Sequence, residues 1–231
     1  MMSQERVRQV RAWHEANYES AEHTRGVTTT FMGRALVVPP EVHPPQGVSD
    51  MLANAVLAEV RTTDRVLDMG TGSGVNAILA ASKSTHVVAV DVNPFAVRCA
   101  RENAERNGVS DRIDVRESDV FGRVDGRFDL IVFDPPFRWF TPRDLRERAT
   151  ADENYTSLTA FFRDVGDHLT DHGRVLVFFG TSGDLAYLQH LIREARFHAE
   201  TVASRELTRD SQTVSYFAYK LTPLDSATLS P

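Results

Sequence analysis

Hydrophobic and polar positions follow two alternating periods along most of this 231-residue chain. Short apolar runs begin near residues 66, 87, 128 and 174, and each run ends directly in an acidic residue or a glycine. The segments between these runs place apolar residues at the three- and four-residue spacing of amphipathic helices. Strands that alternate with helices in this way indicate a mostly parallel sheet covered by helices. The pattern therefore predicts an α/β fold.

The beginning of the chain departs from this alternation. Apolar residues at helical spacing from Val7 onward predict a first helix, and residues 28–38 predict a small hairpin. Four prolines fall within residues 38–45, which excludes a helix or a central strand and predicts a rigid, lid-like loop. We therefore expect residues 1–48 to form an extension of helix, hairpin and lid.

The rest of the chain divides into a main domain and a tail. Residues 201–207 and 213–221 alternate in the manner of two antiparallel strands. The main domain is expected over residues 49–221, and residues 222–231 are expected to form a flexible tail. Within the main domain, residues 143–153 are strongly charged, which predicts an exposed segment with some helix.

Composition and charge narrow the classes of function. Charged residues make up 25% of the chain and hydrophobic residues 42%, which are ordinary values for a globular domain. The net charge of −6 comes without a dense Lys/Arg stripe, which argues against free binding to nucleic acid. Cys99 is the only cysteine and predicts a buried, inert thiol in a reducing, cytoplasmic compartment. No histidine or cysteine spacing predicts a metal site, and no apolar run reaches membrane-spanning length.

The most informative motif is the stretch 66–74, which reads VLDMGTGSG. A strand ends in Asp68 and opens into a turn with glycine at every second position, at Gly70, Gly72 and Gly74. Glycine permits positive φ angles and lets a ligand approach the backbone closely. A dinucleotide-binding turn is the obvious rival, but its spacing is G-x-G-x-x-G. The acid before the first glycine would also repel a pyrophosphate, whereas it suits an ammonium or a sulfonium.

This turn resembles the first motif of the class I methyltransferases that use S-adenosylmethionine (SAM). The strand ends that follow strengthen the resemblance. Asp91 ends the next strand, where a carboxylate can accept both hydroxyls of a ribose, and Asn93 precedes a helix with proline in its first turn. After a third strand, Asp119 is placed to accept the adenine amino group, and Val120 and Phe121 are placed to pack on the ring.

The resemblance implies a Rossmann-like, seven-stranded, mostly parallel sheet with one antiparallel strand, and SAM as the cofactor. It also implies a set of cofactor-binding residues at the strand ends and turns: Asp68, Gly70, Gly72, Gly74, Asp91, Asn93, Ser118, Asp119, Val120 and Asp134.

The type of reaction depends on Asp134, Pro135, Pro136 and Phe137, which follow the strand that begins at residue 128. Two prolines fix the turn, so that the Asp134 side chain and the Pro135 carbonyl form two acceptors for the N–H groups of a planar amine or amide. Phe137 is placed to stack on the acceptor. The motif resembles the (Asp/Asn/Ser)-Pro-Pro-(Tyr/Phe/Trp) signature of N-methyltransferases, which implies catalytic roles for Asp134, Pro135 and Phe137. A purely structural proline turn is the alternative.

Within that class, the chain resembles the release-factor glutamine methyltransferases (the HemK/PrmC group) over roughly residues 31–180. Those enzymes carry asparagine and usually tyrosine where this chain has Asp134 and Phe137. A carboxylate accepts from an amide NH2 but cannot donate to its carbonyl oxygen, so an aspartate also suits cationic amines and adenine-type amino groups. About 65 residues precede the glycine motif, too few for the helical substrate domain of the bacterial enzymes.

Three aromatic residues after the motif are candidates for an acceptor pocket. Trp139 and Phe140 follow it directly, and Tyr155 lies at the start of the next predicted helix. In a pocket they would hold a cation or stack on a planar ring. A role in the core or at a helix start is the alternative for Trp139 and Phe140.

The sequence leaves several functions open. The leading hypothesis is N-methylation of an amide or amine, with a protein glutamine or a small molecule as the acceptor and no membrane partner. In a second hypothesis SAM is itself the substrate, and its own amine displaces sulfur to give azetidine-2-carboxylate and methylthioadenosine. Methylation of a nucleic-acid base and non-catalytic binding of SAM are the remaining alternatives.

Overall fold

The computed structural model describes residues 4–18, 26–209 and 212–224. A short hairpin precedes a larger sheet, and the nine strands of this described part are β1 (Val27–Phe31), β2 (Arg34–Val38), β3 (Arg65–Met69), β4 (His86–Asp91), β5 (Ile113–Glu117), β6 (Phe128–Phe133), β7 (Leu169–Gly180), β8 (Phe197–Arg209) and β9 (Gln212–Pro223).

Six α-helices connect or precede these strands. They are α1 (Gln4–Tyr18), α2 (Ser49–Glu59), α3 (Val75–Ala80), α4 (Pro94–Arg106), α5 (Thr156–Asp164) and α6 (Leu185–Glu194). Among the described helices, none is long and apolar enough to cross a membrane.

The larger sheet has seven strands in the order β5-β4-β3-β6-β7-β9-β8. Neighbouring strands from β5 to β7 pair in parallel, and β9 runs antiparallel to both β7 and β8. The predicted class, a mostly parallel seven-stranded sheet with one reversed strand, is therefore confirmed. The chain leaves β3 toward β4 on one side and later returns to β6 on the other. The carboxyl ends of β3 and β6 thus form the switch point at which sheets of this type bind ligands.

The core lies on both faces of the sheet. Leu130 and Val132 of β6 belong to one apolar layer, and Ile131 and Phe133 belong to the opposite layer. This division follows from the alternation of side chains along a strand. Helices α2, α3 and α4 cover the first face, and α5 and α6 cover the second. The strands are apolar on both faces because helices cover both.

The hairpin β1–β2 lies against α4. The buried Asn103 side chain accepts from the Val37 N–H (2.9 Å) and donates to the carbonyl oxygens of Val37 (3.2 Å) and Ser73 (2.9 Å). One side chain thus joins the hairpin to the glycine turn, so the extension is attached where it can border the site. The boundary expected at residue 48 stays a prediction. Of the expected tail, residues 222 and 223 belong to β9, and residues 225–231 lie outside the described residues.

Candidate active site

A cavity of about 1160 Å³ opens at the carboxyl ends of the parallel strands. Residues that directly follow β3, β4, β5 and β6 form its floor, and residues 42–45 and 141–153 form two of its walls. The cavity therefore occupies the ligand-binding edge of the sheet. Eight of the predicted cofactor residues line it: Gly70, Gly72, Asp91, Asn93, Ser118, Asp119, Val120 and Asp134.

The glycine turn is held from below by Asp68. One oxygen of this carboxylate accepts from the Thr71 hydroxyl (2.6 Å) and from the Ala77 N–H at the start of α3 (3.1 Å). Asp68 is only 2% exposed and does not line the cavity, and burial raises its pKa to about 7. Asp68 thus braces the turn, and its contact with a cofactor stays a prediction.

The three glycines of the turn have different roles. Gly70 and Gly72 line the cavity with φ angles of +68° and +55°, which side chains rarely adopt. Gly74 has a φ of +83° but does not line the cavity. A Cβ there would come within 2.9 Å of the Ala100 Cα, so this glycine permits close packing of α4. Gly74 thus has a packing role, and its cofactor contact stays a prediction.

Asp91 connects two of the loops that line the cavity. Its two carboxylate oxygens accept from the Gly72 N–H and the Asn93 N–H, each at 2.9 Å. Burial raises the pKa of this carboxyl above its usual range. Each oxygen keeps further acceptor capacity after one bond, so the carboxylate is fixed in position and still able to accept ligand hydroxyls.

Asn93 attaches the proline-rich wall to this corner. Its side-chain oxygen caps α4 by accepting from the Phe95 N–H (3.0 Å), and its side-chain nitrogen donates to the Glu41 carbonyl (2.9 Å). His43, Pro44 and Pro45 continue the same segment along the cavity. The predicted lid-like loop therefore forms a cavity wall.

The loop after β5 forms the other end of the cavity. The Ser118 hydroxyl donates to the Val120 carbonyl and accepts from the Arg123 N–H, both at 2.9 Å. This turn holds Val120 at a φ of +46°, which is an outlier for a β-branched residue. Val120 lines the cavity. Phe121 stacks on His168 with 4.2 Å between ring centroids. A strained, well-held loop at a ligand cavity is typical of a functional site.

Asp134 lies at the end of β6, directly beside the glycine turn. Met69 of β3 pairs with Phe133 of β6, which brings Asp134 next to Gly70 at the switch point. The Asp134 side chain is exposed at the cavity wall and makes no hydrogen bond to any residue that the structure describes. Protein atoms nevertheless surround the carboxyl group and remove much of its hydration. This desolvation of the Asp134 carboxyl group, with a smaller contribution from the charge of Asp68, raises its pKa to about 7.

Of the rest of the proline motif, only Pro136 lines the cavity. Pro135 is buried outside the cavity lining. The Phe137 ring packs against Phe179, with centroids 5.4 Å apart, and against Phe178 and Tyr216. The stacking of Phe137 on an acceptor stays a prediction.

The three aromatic residues predicted for a pocket also pack within the protein. The rings of Trp139 and Phe140 lie 4.8 Å apart, and Phe140 contacts α1 through Val10 and the Arg11 guanidinium. Tyr155 stacks on a ring of α6, and its hydroxyl donates to the Phe137 carbonyl (3.0 Å). None of the three lines the cavity. These contacts are structural, and the pocket role of the three residues stays a prediction.

Residues 141–153, here called the cover segment, form a wall that the sequence did not predict. Glu147 is only 4% exposed, and its carboxylate accepts from the Arg143 N–H and guanidinium at 2.6–3.1 Å. Asp152 is also buried and accepts from two N–H groups at the start of α5. The expectation of an exposed segment was therefore wrong for these two acids. The i, i+4 spacing of Arg143 and Glu147 was the available signal.

Comparison with known proteins places this site in a family. A Methanocaldococcus jannaschii protein named as a candidate protein N5-glutamine methyltransferase is 42% identical over 106 residues, which cover 46% of this chain and 52% of that protein. The release factor glutamine methyltransferase of Cereibacter sphaeroides is 40% identical over 109 residues, which cover 46% of this chain and 38% of that enzyme. The chain therefore spans about half or less of the length of these relatives.

A solved structure shares the fold of this chain, and a family model matches most of its length. The crystal structure of a ribosomal protein L11 methylase from Lactobacillus delbrueckii subsp. bulgaricus has a TM-score of 0.56 at 23% identity. The superposition covers 79% of this chain and 82% of that chain, and it shows a shared fold. The model of the methyltransferase small domain family matches residues 46–205. These matches confirm the resemblance drawn from the motifs, and the chain belongs to the methyltransferase small domain family.

Proposed function

We propose that this chain transfers a methyl group from SAM to the side-chain nitrogen of a glutamine in a protein. The observation that carries the proposal is Asp134, whose carboxyl group is open to the cavity beside the glycine turn. The two relatives named as glutamine methyltransferases support this choice of acceptor. The aspartate is the residue of this chain that would hold the reacting amide.

The described residues fit the cofactor that enzymes of this class use. The fixed Asp91 carboxylate suits ribose hydroxyls, and the bare Gly70 and Gly72 backbone admits a ligand at contact distance. Val120 offers an apolar surface at the other end of the cavity. When bound, SAM supplies an electrophilic methyl group on a sulfonium that is a good leaving group. The protein then mainly positions the acceptor nitrogen in line with the methyl group and excludes water.

The raised pKa of Asp134 supports a glutamine acceptor despite the departure from asparagine. With a pKa of about 7, much of the carboxyl group is neutral near neutral pH. A neutral carboxylic acid has one O–H donor and retains acceptor capacity, as an amide side chain has both a donor and an acceptor. It can therefore accept from the glutamine NH2 and donate to the glutamine carbonyl. It would thereby orient the nitrogen toward the methyl group.

The structure offers less support for the other functions. Aromatic residues around the sulfonium would favour self-consumption of SAM, but Trp139, Phe140 and Tyr155 pack outside the cavity lining. Acidic residues outnumber arginines by eight to three in the cavity lining, which disfavours the approach of a polyanionic nucleic acid. Non-catalytic binding would leave the open carboxyl group of Asp134 unexplained.

Product analysis separates these functions. The purified chain is incubated with SAM alone, with a release factor from the same organism, and with RNA, and the nucleoside products are identified by mass spectrometry. The proposal predicts S-adenosylhomocysteine only when the protein acceptor is present. Methylthioadenosine from SAM alone would show self-consumption, and S-adenosylhomocysteine formed only with RNA would show base methylation. Either result would overturn the proposal.

A further inference from the structure

Among the described residues, three arginines line the cavity, and only one of these three has a guanidinium without an acidic partner. The Arg143 guanidinium donates to Glu147, and the Arg163 guanidinium donates twice to Asp164. Arg148 is exposed at the cavity wall, and its guanidinium forms no hydrogen bond or ion pair with any residue in the described part of the chain. Arg148 is therefore the one cavity arginine that is available to an anionic ligand.

Hydrogen bonds hold the backbone around Arg148 in place, although no described residue bonds to its guanidinium. The Arg148 N–H donates to the Asp144 carbonyl (3.3 Å), and the Thr150 and Ala151 N–H groups donate to the Glu147 carbonyl (2.9 and 2.8 Å). The chain then pairs with the proline motif, because the Arg138 N–H donates to the Thr150 carbonyl (3.3 Å). The cover segment thus presents Arg148 from a preformed turn, which lowers the cost of ordering it around a ligand.

Arg148 and Asp91 line the same cavity. The positive charge of Arg148 opposes the rise in the pKa of the Asp91 carboxyl. A ligand whose ribose is held by Asp91 would therefore place its neighbouring groups within the field of this guanidinium. The adenine end lies at the Ser118 loop, which leaves the opposite end of the nucleoside, beside Gly70 and Asp134, for the amino-acid part.

We propose that Arg148 binds the α-carboxylate of SAM and so positions the methionine part of the cofactor. The inference uses the proposed function only in taking this cavity as the SAM site. SAM carries two cationic groups, the sulfonium and the ammonium, and one anionic group, the carboxylate. The cavity is otherwise acidic, which suits the two cations but repels the carboxylate unless a positive side chain neutralises it. The planar guanidinium forms two parallel bonds to a carboxylate, which fixes orientation as well as position.

Comparison of SAM with decarboxylated SAM tests the contact directly. The wild-type chain and Arg148→Met are titrated with each ligand by calorimetry. Because bonds to charged groups are strong, we expect wild type to bind SAM about 10- to 100-fold more tightly than decarboxylated SAM. In Arg148→Met this discrimination should fall nearly to one, because SAM binding weakens and binding of the decarboxylated ligand does not.

Two further variants separate a specific contact from a general charge effect. Arg163→Met removes the same charge from the cavity wall at a site where Asp164 already neutralises it, and it should keep the full discrimination. Arg148→Lys keeps the charge but loses the two-bond geometry, and it should give an intermediate value. If Arg148→Met still discriminates as wild type does, or if Arg163→Met loses discrimination equally, the proposal is wrong.

The binding experiment is independent of the acceptor. If the glutamine assignment fails but Arg148→Met loses discrimination, the inference about Arg148 stands. If Arg148→Met keeps its affinity for SAM but raises the KM for the protein acceptor, Arg148 binds the acceptor, and the inference fails while the proposed function stands.

Discussion

The two halves of the cavity are built differently. The half around Gly72 and Asp91 is proposed to bind the cofactor (the cofactor half), and the half around Asp134 is proposed to bind the acceptor (the acceptor half). In the cofactor half, polar side chains bind the backbone of neighbouring loops, as Asp91 does with Gly72 and Asn93. In the acceptor half, the Asp134 carboxyl group has no hydrogen-bond partner among the described residues. Aromatic packing and the buried Glu147 hold the chain around it. Hydrogen bonds thus hold the side chains of the cofactor half in place, whereas the Asp134 carboxyl group of the acceptor half has no partner among the described residues.

Backbone strain also differs between the halves. Glycines occupy most of the left-handed positions in the cofactor half, at Gly70 and Gly72. Next to the acceptor half but outside the cavity lining, Asn154 and Tyr155 adopt φ angles of +54° and +55° in succession. Such positions cost about 1–3 kcal/mol each for non-glycine residues and persist only where the surroundings fix them. The Tyr155 hydroxyl, bonded to the Phe137 carbonyl and to the Asp184 N–H, is one such fixing contact.

The largest expected effect is that of Asp134→Ala. If Asp134 orients the acceptor and contributes little to cofactor binding, the variant should lower kcat by about 100-fold or more and leave the dissociation constant of SAM nearly unchanged. Single-turnover kinetics and calorimetry measure the two quantities. Full turnover in a folded variant would show that the motif is only a structural turn.

A pH profile of kcat distinguishes the two protonation states of Asp134. The neutral acid is the form that matches a glutamine amide, and the raised pKa of about 7 keeps it populated up to that pH. We therefore expect kcat to be level below pH 7 and to fall about tenfold per pH unit above it. Asp134→Asn, which cannot ionise, should keep activity and remove this fall. A rate that rises through pH 7, with an inactive asparagine variant, would indicate an ammonium acceptor.

Asp91→Ala tests whether the cofactor half of the cavity binds the ribose of SAM. Loss of hydrogen bonds from a charged group to the ribose should weaken SAM binding by more than about 1.5 kcal/mol, or roughly tenfold. Because the effect is on binding, saturating SAM should restore much of kcat. Unchanged affinity in a folded Asp91→Ala protein would remove this carboxylate from the site.

Phe140→Ala should have the smallest effect on function. The ring packs between Val10 and Trp139 outside the cavity, so its loss should lower the free energy of unfolding by about 1–3 kcal/mol. Thermal denaturation measures this change, while calorimetry should show unaltered SAM binding. A raised KM for the acceptor without loss of stability would support the pocket role predicted from the sequence.

The cofactor half was predictable because its signals are local. A strand, an acid and spaced glycines within nine residues determine how the turn at Gly70 and Gly72 is built. The packing role of Gly74 was not predictable, because it depends on the close approach of Ala100 from a different helix. The acceptor half depends on distant partners. Phe137 turns inward because Tyr216 of β9 lies beside it, and no local pattern contains that contact.

The central claim is tested most directly by locating the transferred methyl group. The purified chain is incubated with SAM and a release factor from the same organism, and the acceptor is digested and sequenced by tandem mass spectrometry. Asp134→Ala under the same conditions provides the control. The account predicts one added methyl group on a glutamine side chain with wild type and almost none with the variant. A methyl group on a lysine or at the N-terminal amine, or equal methylation by Asp134→Ala, would contradict it.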